Sequence, residues 1–288
     1  AAMELLYGVG GYYTSISAWE AAQQRDLVAA DEVAIAECYN DWPAGLTETV
    51  SVTGWTTDAT RHVIIRTPAS ERHSGIKQTG FRLYGSANTS ILNLLQAYTL
   101  AIGLEVQKST SHTSGYAVFI EDKCKVSQCI IHGQSTSSSV VKFGAGAGSN
   151  LSLAPILENS LIIGAGTAVT SNSGGGTQAA VVRNCTIKAG TTGIYSKNSE
   201  VVAQNNVIVS ATTSYSGAFH ANSSHNAAFN ASLVTPPGAS PLLLDIVEAD
   251  FTDSANDDYS LAVGSQLIDA GLDLSVDFTT DIVGTVRG

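Results

Sequence analysis

Two interleaved repeats between about residue 90 and residue 230 constrain the fold of this chain more than any other feature. The first repeat is an apolar pair, a small polar residue or Cys, and a second apolar pair, as in Lys125 to Ile131. It recurs with steps of 31, 25, 21 and 20 residues between its equivalent positions. Those positions are Cys129, Ser160, Cys185, Asn206 and Asn226.

The second repeat is a Gly or Ser followed by a short apolar strand. Its copies begin at positions 115, 139, 166, 193 and 217, in steps of 24, 27, 27 and 24 residues. Two patterns with nearly the same step are typical of a solenoid, in which each repeat buries its apolar side only against its neighbours. We therefore predict an all-β, right-handed parallel β-helix in which positions 129, 185 and 206 stack as a ladder. A β-sandwich, which needs hairpins and alternating polar faces, is the alternative.

The remaining segments are expected to close one single domain. Residues 1–85 form an N-terminal cap with the first strands, 86–235 the repeats, and 236–288 the closing segment. Ser17 and Glu20 fit a capping box, which predicts one short helix over 17–28, and strands follow at 32–39, 49–52 and 61–67. The aromatic side chains of the cap either plug the open end of the core or stack on sugars or another subunit. They are Tyr12, Tyr13, Trp19, Trp42, Trp55 and Tyr84.

Charge and composition exclude several classes of partner. The chain has 14 basic residues and a net charge of −11, so it lacks the clustered cations that bind nucleic acid. Its sequence has no apolar run of the length that spans a membrane, and its first ten residues do not read as a signal peptide. The four cysteines lack zinc-site spacing, so we expect buried free thiols.

Residues at both ends resemble a known group of proteins. The run Asp258 to Gly271, the stretch Asp281 to Arg287 and the opening Tyr13 to Glu20 resemble right-handed parallel β-helix repeat proteins of the pectate-lyase-like superfamily. Relatives of this kind occur among tailed-phage virion proteins and bacterial surface proteins. The resemblance implies a homotrimer that is located in a virion or outside the cell.

Many proteins of that superfamily cleave polysaccharides, which requires carboxylates or a base in the groove. Between Tyr84 and Leu244 the sequence has only five acidic residues. Glu121, Asp122 and Lys123 form the densest charged group and are weak catalytic or sugar-binding candidates, while a solvated turn is the simpler interpretation. Glu158 and Arg183 are predicted to pair across neighbouring coils at the surface, where such a pair adds little stability.

Metal binding has a weak signal in the acidic loop from Asp245 to Asp258. Asp253, Asp257 and Asp258 are the candidate ligands for Ca²⁺, which prefers carboxylate and carbonyl oxygens. The loop lacks the residue order of an EF-hand, and these side chains could instead accept from turn amides. No other cofactor is predicted. The histidines are expected to be structural or at the surface: His62, His73, His112, His132, His220 and His225.

The leading hypothesis is a non-catalytic structural or binding protein, associated with a virion as a capsid decoration or tail-associated protein. It would stabilise an assembly or bind surface glycans. The alternatives are a secreted polysaccharide lyase or glycoside hydrolase, and a bacterial cell-surface adhesin that binds carbohydrate. Carboxylates and a base in one groove would favour the enzyme, and an exposed aromatic strip would favour the adhesin. A large apolar side of the solenoid would favour assembly.

Overall fold

The structure, a computed structural model, describes residues 3–5, 12–42, 44–86, 88–109, 114–134, 136, 138–144, 150–171, 179–229, 236–238, 240–242 and 246–286, with only the backbone at 3–5 and 197–200. The helices are α1 (Ile16–Gln23), α2 (Leu27–Ala30) and three short 3-10 helices at Leu151–Leu153, Glu248–Asp250 and Ser254–Asn256. No helix in this part of the chain is long and apolar enough to cross a membrane.

The strands are short and follow one another through the chain. They are β1 (Met3–Leu5), β2 (Ala34–Cys38), β3 (Leu46–Thr47), β4 (Val50–Val52), β5 (Val63–Arg66), β6 (Arg82–Gly85), β7 (Leu92–Leu94), β8 (Leu100–Ile102), β9 (Glu105–Lys108), β10 (Val118–Ile120), β11 (Lys125–Ser127), β12 (Ile130–Gly133), β13 (Val141–Phe143), β14 (Ile156–Glu158), β15 (Leu161–Gly164), β16 (Thr167–Ser171), β17 (Ala180–Arg183), β18 (Thr186–Ala189), β19 (Thr192–Gln204), β20 (Val207–Val209), β21 (Thr213–Phe219), β22 (Ala227–Ala228), β23 (Phe251–Asp253) and β24 (Asp258–Leu261).

Parallel pairing arranges these strands on three faces of a β-solenoid of about six turns. Face 1 contains β4, β7, β10, β13, β16, the first half of β19, and β21. Face 2 contains β2, β5, β8, β11, β14, β17 and the second half of β19. Face 3 contains β3, β6, β9, β12, β15, β18, β20 and β22. The predicted parallel β-solenoid is confirmed.

The core is a column of small and aliphatic side chains that point inward from each face. Side chains alternate in direction along a strand, so the residue that points inward repeats at the same register in every coil. On face 2 this gives stacked, buried Ala36, Ile65, Ala101, Val126 and Leu157. All four cysteines are buried free thiols, as predicted, and burial raises the pKa of Cys129 to about 11.

From β8 onward the corner between faces 2 and 3 has only two residues in each coil, whereas seven residues separate β2 from β3 and fifteen separate β5 from β6. Its first residue adopts a left-handed conformation, with φ between 50° and 72°, which Asn and Gly tolerate better than other residues do. These first residues are Gly103, Gln128, Asn159, Asn184, Asn205 and His225. A two-residue corner of constant geometry therefore holds these six coils in the same register.

The second corner residues form the ladder that the repeats predict. The amide of Cys129 donates to the Ser160 hydroxyl at 3.1 Å. The amide of Cys185 donates to Asn206 Oδ1 at 3.2 Å, and the amide of Asn206 donates to Asn226 Oδ1 at 3.1 Å. The ladder therefore gives buried corner amides a hydrogen-bond partner in the next coil, which they need because water does not reach them.

The N-terminal helix differs from the prediction in its cap and its length. Ser15, not Ser17, is the N-cap and accepts from the amide of Ala18. Glu48 accepts from the first amides of α1 at 2.7 and 3.1 Å. Glu20 instead points into the protein and binds the indole nitrogen of Trp55 at 3.1 Å. The capping-box prediction was wrong because tertiary partners, invisible to local spacing, satisfy these groups.

The aromatic cap closes the first coil of the core. Trp19 and Trp55 are buried, with ring centroids 5.8 Å apart, and both belong to the main apolar cluster. This agrees with the interpretation of these two residues as a plug. Tyr12, in contrast, is 75% exposed.

Residues 246–286, called the strap here, run back along face 3 and cover it. Ile130, Leu161 and Val209 point outward from face 3 and form a second apolar cluster with strap residues such as Phe251 and Tyr259. The two-residue corner anchors the strap through side chains. Asn205 exchanges two hydrogen bonds with the backbone of Leu272, Gln128 donates to Thr280 and to the carbonyl of Asp281, and Asn159 donates to the carbonyl of Thr280.

Candidate binding face

Face 1 presents a single row of outward side chains across seven strands. Adjacent strands lie about 4.8 Å apart, so the row is about 29 Å long. Strand alternation buries the flanking residues on each side, for example Val118 and Ile120 on β10. The row consists of Ser51, Asn93, Phe119, Lys142, Thr170, Tyr195 and Ser216.

An aromatic pair and an ammonium group lie at the centre of this row. The rings of Tyr116 and Phe119 stack with centroids 6.1 Å apart and an angle of 22° between their planes. The Lys142 ammonium donates to the Tyr116 hydroxyl at 2.8 Å and lies 4.9 Å from the centre of that ring. Cation–π contact and hydrogen bond together fix the position of the ammonium. Tyr116, Phe119 and Lys142 are called the face 1 patch below.

Polar groups with spare hydrogen-bonding capacity flank the face 1 patch. The Asn93 amide nitrogen donates to the carbonyls of Val50 and Ser90 at 3.2 and 3.3 Å, and its oxygen remains available as an acceptor. On the next coil the hydroxyls of Ser139 and Thr170 share a hydrogen bond of 2.6 Å. Further along the row Tyr195 is 36% exposed. The row therefore combines apolar ring faces with donors and acceptors over several coils.

The predicted charged group, Glu121 to Lys123, lies in the turn that follows β10 at the edge of face 1. The Glu121 carboxylate packs against Gly144 in the next coil, where a side chain would collide with it. Burial, and secondly the charge of Asp122, raises the pKa of Glu121 above 4.5. Lys123 instead places its ammonium 4.7 Å from the centre of the Tyr98 ring. The structure thus separates Lys123 from Glu121, although Glu121 borders the face 1 patch.

The three candidate metal ligands are engaged with other groups. Asp257 binds Lys77 at 2.5 Å and Lys188 at 2.8 Å. Asp253 accepts from the Asn256 amide at 2.7 Å, and Asp258 accepts from a backbone amide at 3.0 Å. No group of three metal-ligating side chains occurs within the described ranges. Two ammonium groups on Asp257 supply the positive charge that a cation would otherwise bring. Asp245 lies outside the described residues.

The predicted pairing of Glu158 with Arg183 is present at 2.8 Å, but its location at the surface was wrong. Glu158 is only 1% exposed and also binds Lys125 at 2.9 Å. Arg183 continues the network to Asp277 of the strap at 2.7 Å, and its guanidinium lies 5.6 Å from the centre of the Phe278 ring. Asp277 and Phe278 of the strap, far away in sequence, thus contact the Arg183 side chain, which is only 11% exposed.

Sequence reasoning missed a second buried pair, Glu105 with His132. Their side chains are 2.7 Å apart on neighbouring coils of face 3, and neither is exposed. The second Glu105 oxygen accepts from the amide of Gln78 at 2.7 Å. His73 bonds the carbonyl of Gln128 at 2.9 Å. Both histidines are structural, as expected; His112 lies outside the described residues. Glu105 and His132 are separated by 27 residues, which is close to one repeat. An alignment of the coils by this separation could have predicted the pair.

Comparison of the chain with protein-family models, with curated proteins and with solved structures gives no match. The class of protein is therefore defined by the structure alone. It is a parallel β-solenoid with an outward row of polar and aromatic residues on face 1 and a strap over face 3.

Proposed function

We propose that this protein is a non-catalytic binding protein that holds an extended glycan along face 1. The face 1 patch carries the proposal. Sugar rings have an apolar side that packs on aromatic faces and hydroxyls that need hydrogen-bond partners, and an aromatic side chain with a polar neighbour meets both needs. Tyr116 and Phe119 supply the ring faces, while Lys142, Asn93 and Thr170 supply donors and acceptors.

The outward row also supports binding without cleavage. Glycoside hydrolysis by the usual route requires two carboxylates flanking the scissile bond, and the seven residues of the row include no carboxylate. Glu121 borders the row, and its raised pKa would suit a general acid. The lyase or hydrolase therefore remains the alternative, and its carboxylate would be Glu121.

The proposal is tested by a glycan panel with neutral and acidic members, measured by calorimetry on three variants. Phe119→Ala and Lys142→Ala should each weaken binding of the best glycan by about tenfold, which is about 1.4 kcal/mol. Tyr12→Ala removes an exposed aromatic outside face 1 and should leave the affinity unchanged. If all three variants bind like the parent protein, face 1 is not the binding surface.

A product assay separates binding from catalysis. We expect no new reducing ends or unsaturated sugars when the best-binding glycan is incubated with the protein. Release of such products, lost in Glu121→Gln but retained in Asp31→Asn, would contradict the non-catalytic proposal and favour the enzyme.

An assembly role is the second candidate, favoured by an apolar row on face 2. Five adjacent coils place Ile64, Leu100, Lys125, Ile156 and Val181 outward and half-buried. The Lys125 ammonium forms an ion pair with Glu158, so the apolar stem of the Lys125 side chain continues the row. Contiguous apolar surface that is left partly in water is typical of interaction surfaces.

The resemblance of the opening of the chain to β-helix proteins of tailed-phage virions and bacterial surfaces supplies the rest of this second proposal. In this second proposal the protein is a homotrimer that is associated with a virion or located outside the cell. Light scattering at several concentrations should then give three times the 29.8 kDa chain mass, and Ile156→Ser with Val181→Ser should shift the protein to the monomer. A monomer at every concentration would refute the trimer and leave the glycan proposal unaffected.

A further inference from the structure

The strap exposes much more aliphatic surface than the solenoid does. Among the described residues, twelve large apolar side chains are exposed, and eight of them lie in the strap. Val263 and Val276 are almost fully in water, at 106% and 94%. The eight are Val247, Leu261, Val263, Ile268, Leu272, Val276, Val283 and Val286. Singly scattered exposed apolar residues are normal, whereas neighbouring ones that form a patch mark an interaction surface.

A regular motif organises the middle of this surface. An exposed aliphatic residue followed by an aspartate occurs three times at intervals of four residues: Ile268 with Asp269, Leu272 with Asp273, and Val276 with Asp277. Arg183 pairs with Asp277 from the solenoid side. No Lys or Arg of the described ranges forms an ion pair with Asp269 or Asp273. These six residues are called the aliphatic–acidic ridge.

The aliphatic residues of the ridge are not needed to attach the strap to the solenoid. Other strap residues face inward and hold it: Leu267 and Ile282 pack on the apolar cluster of face 3, and Leu274 is buried. The Leu272 backbone, rather than its side chain, bonds to Asn205. The aliphatic side chains of the ridge therefore remain exposed, and of its three aspartates only Asp277 forms an ion pair with a described residue of the solenoid.

Charge indicates which partner fits the ridge. Residues 246–286 contain nine acidic residues and no Lys, Arg or His. A second strap would bring like charges together, and nucleic acid or an anionic membrane would be repelled in the same way. A surface with both aliphatic and cationic groups complements the ridge, because its aliphatic groups match the apolar side chains and its cationic groups match the aspartates.

We propose that the aliphatic–acidic ridge is the docking surface for a partner protein that presents aliphatic side chains flanked by Lys or Arg. The aliphatic residues of the ridge supply contact area and its aspartates select the cationic partner, since charges at the rim of an interface mainly set specificity. This surface lies on the strap and is independent of the glycan site on face 1.

A synthetic peptide of repeating Leu and Lys tests the chemistry of this surface by fluorescence anisotropy. The peptide should bind the full chain, and added salt should weaken the binding. Ile268→Ser with Val276→Ser, and separately Asp269→Asn with Asp273→Asn, should each weaken it at least tenfold. The altered side chains are exposed, so circular dichroism and the unfolding temperature should match those of the parent protein.

Matched controls distinguish the ridge from general attraction to an acidic protein. Val28→Ser with Asp31→Asn changes an exposed aliphatic and an exposed acidic residue outside the strap and should leave peptide affinity unchanged. A peptide of repeating Ser and Lys should bind at least tenfold more weakly. The proposal is overturned if the parent protein and both ridge variants bind the Leu–Lys peptide equally well, or if the two peptides bind equally well. It is also overturned if the parent protein forms a dimer that only the ridge variants abolish.

Discussion

Replacing Asn206 by Ala should destabilise the solenoid, because it removes buried hydrogen bonds of the ladder. Asn206 is fully buried. Its oxygen accepts from the Cys185 amide at 3.2 Å, and its amide nitrogen donates to the Val182 carbonyl at 2.8 Å and to Asn226 Oδ1 at 3.0 Å. Alanine removes all three bonds and leaves the Cys185 amide without its ladder partner, in a position that water does not reach.

The magnitude follows from the cost of unsatisfied buried groups. Each costs about 1–3 kcal/mol, and the Cys185 amide with the Val182 carbonyl gives about 2–6 kcal/mol in total. The net stability of a typical domain is about 5–15 kcal/mol, so the loss is a large fraction of it. Asn226 Oδ1 keeps its bond from the Asn206 backbone amide, so it does not add to the total.

Urea unfolding followed by circular dichroism measures this cost, and hydrogen exchange locates it. The Cys185 amide should lose protection in the variant. Asn222→Ala, at an exposed position, is the matched control and should change stability by less than about 0.5 kcal/mol. If Asn206→Ala unfolds at the same urea concentration as the control, the ladder does not stabilise the solenoid and the reasoning is refuted.

Three further predictions concern buried charges and thiols. Arg183→Ala leaves the buried Glu158 carboxylate with one cation fewer, and urea unfolding should show a loss of about 3 kcal/mol; no loss would mean that Glu158 is hydrated. Burial acts to raise the pKa of Asp257, but on balance its two lysine partners lower it below 3.8. Its stabilising contribution is therefore present above pH 3.8 and lost as the pH falls through its lowered pKa. The protection factors of the strap amides, which correct for the intrinsic exchange rate, should therefore fall at acid pH less steeply in Asp257→Asn than in the parent protein. Burial raises the pKa of Cys185 to about 12, so a thiol reagent should label Cys129 and Cys185 only after unfolding, and rapid labelling of the native protein would contradict their burial.

The solenoid was predictable because the sequence repeats with a nearly constant step. Each coil repeats the same apolar pairs, and the ladder position can be read directly from the steps between Cys129, Ser160 and Cys185. The short strands at 34–38, 50–52 and 63–66 also follow from local β-branched composition. These features depend on residues within one coil or on its nearest neighbours, which a repeat pattern records.

The strap and what it covers were not predictable in this way. Nothing near Glu158 in the sequence indicates burial, because Asp277 and Phe278 reach its network from about 120 residues further along the chain. The face 1 patch was missed for a related reason. Tyr116 and Lys142 both lie in copies of the second repeat, but their contact depends on the register between coils, which varying loop lengths hide.

The corners of the solenoid differ in how they would accept foreign sequence. The corner between faces 2 and 3 has two residues in every coil from β8 onward, and one added residue there would turn the inward side chains of the next strand outward. The corner between faces 1 and 2 already varies, from four residues after β10 to twelve after β13. A peptide epitope grafted between Phe143 and Ile156 should therefore be displayed without disturbing the coils on either side, which makes this protein a rigid display scaffold with a defined insertion point.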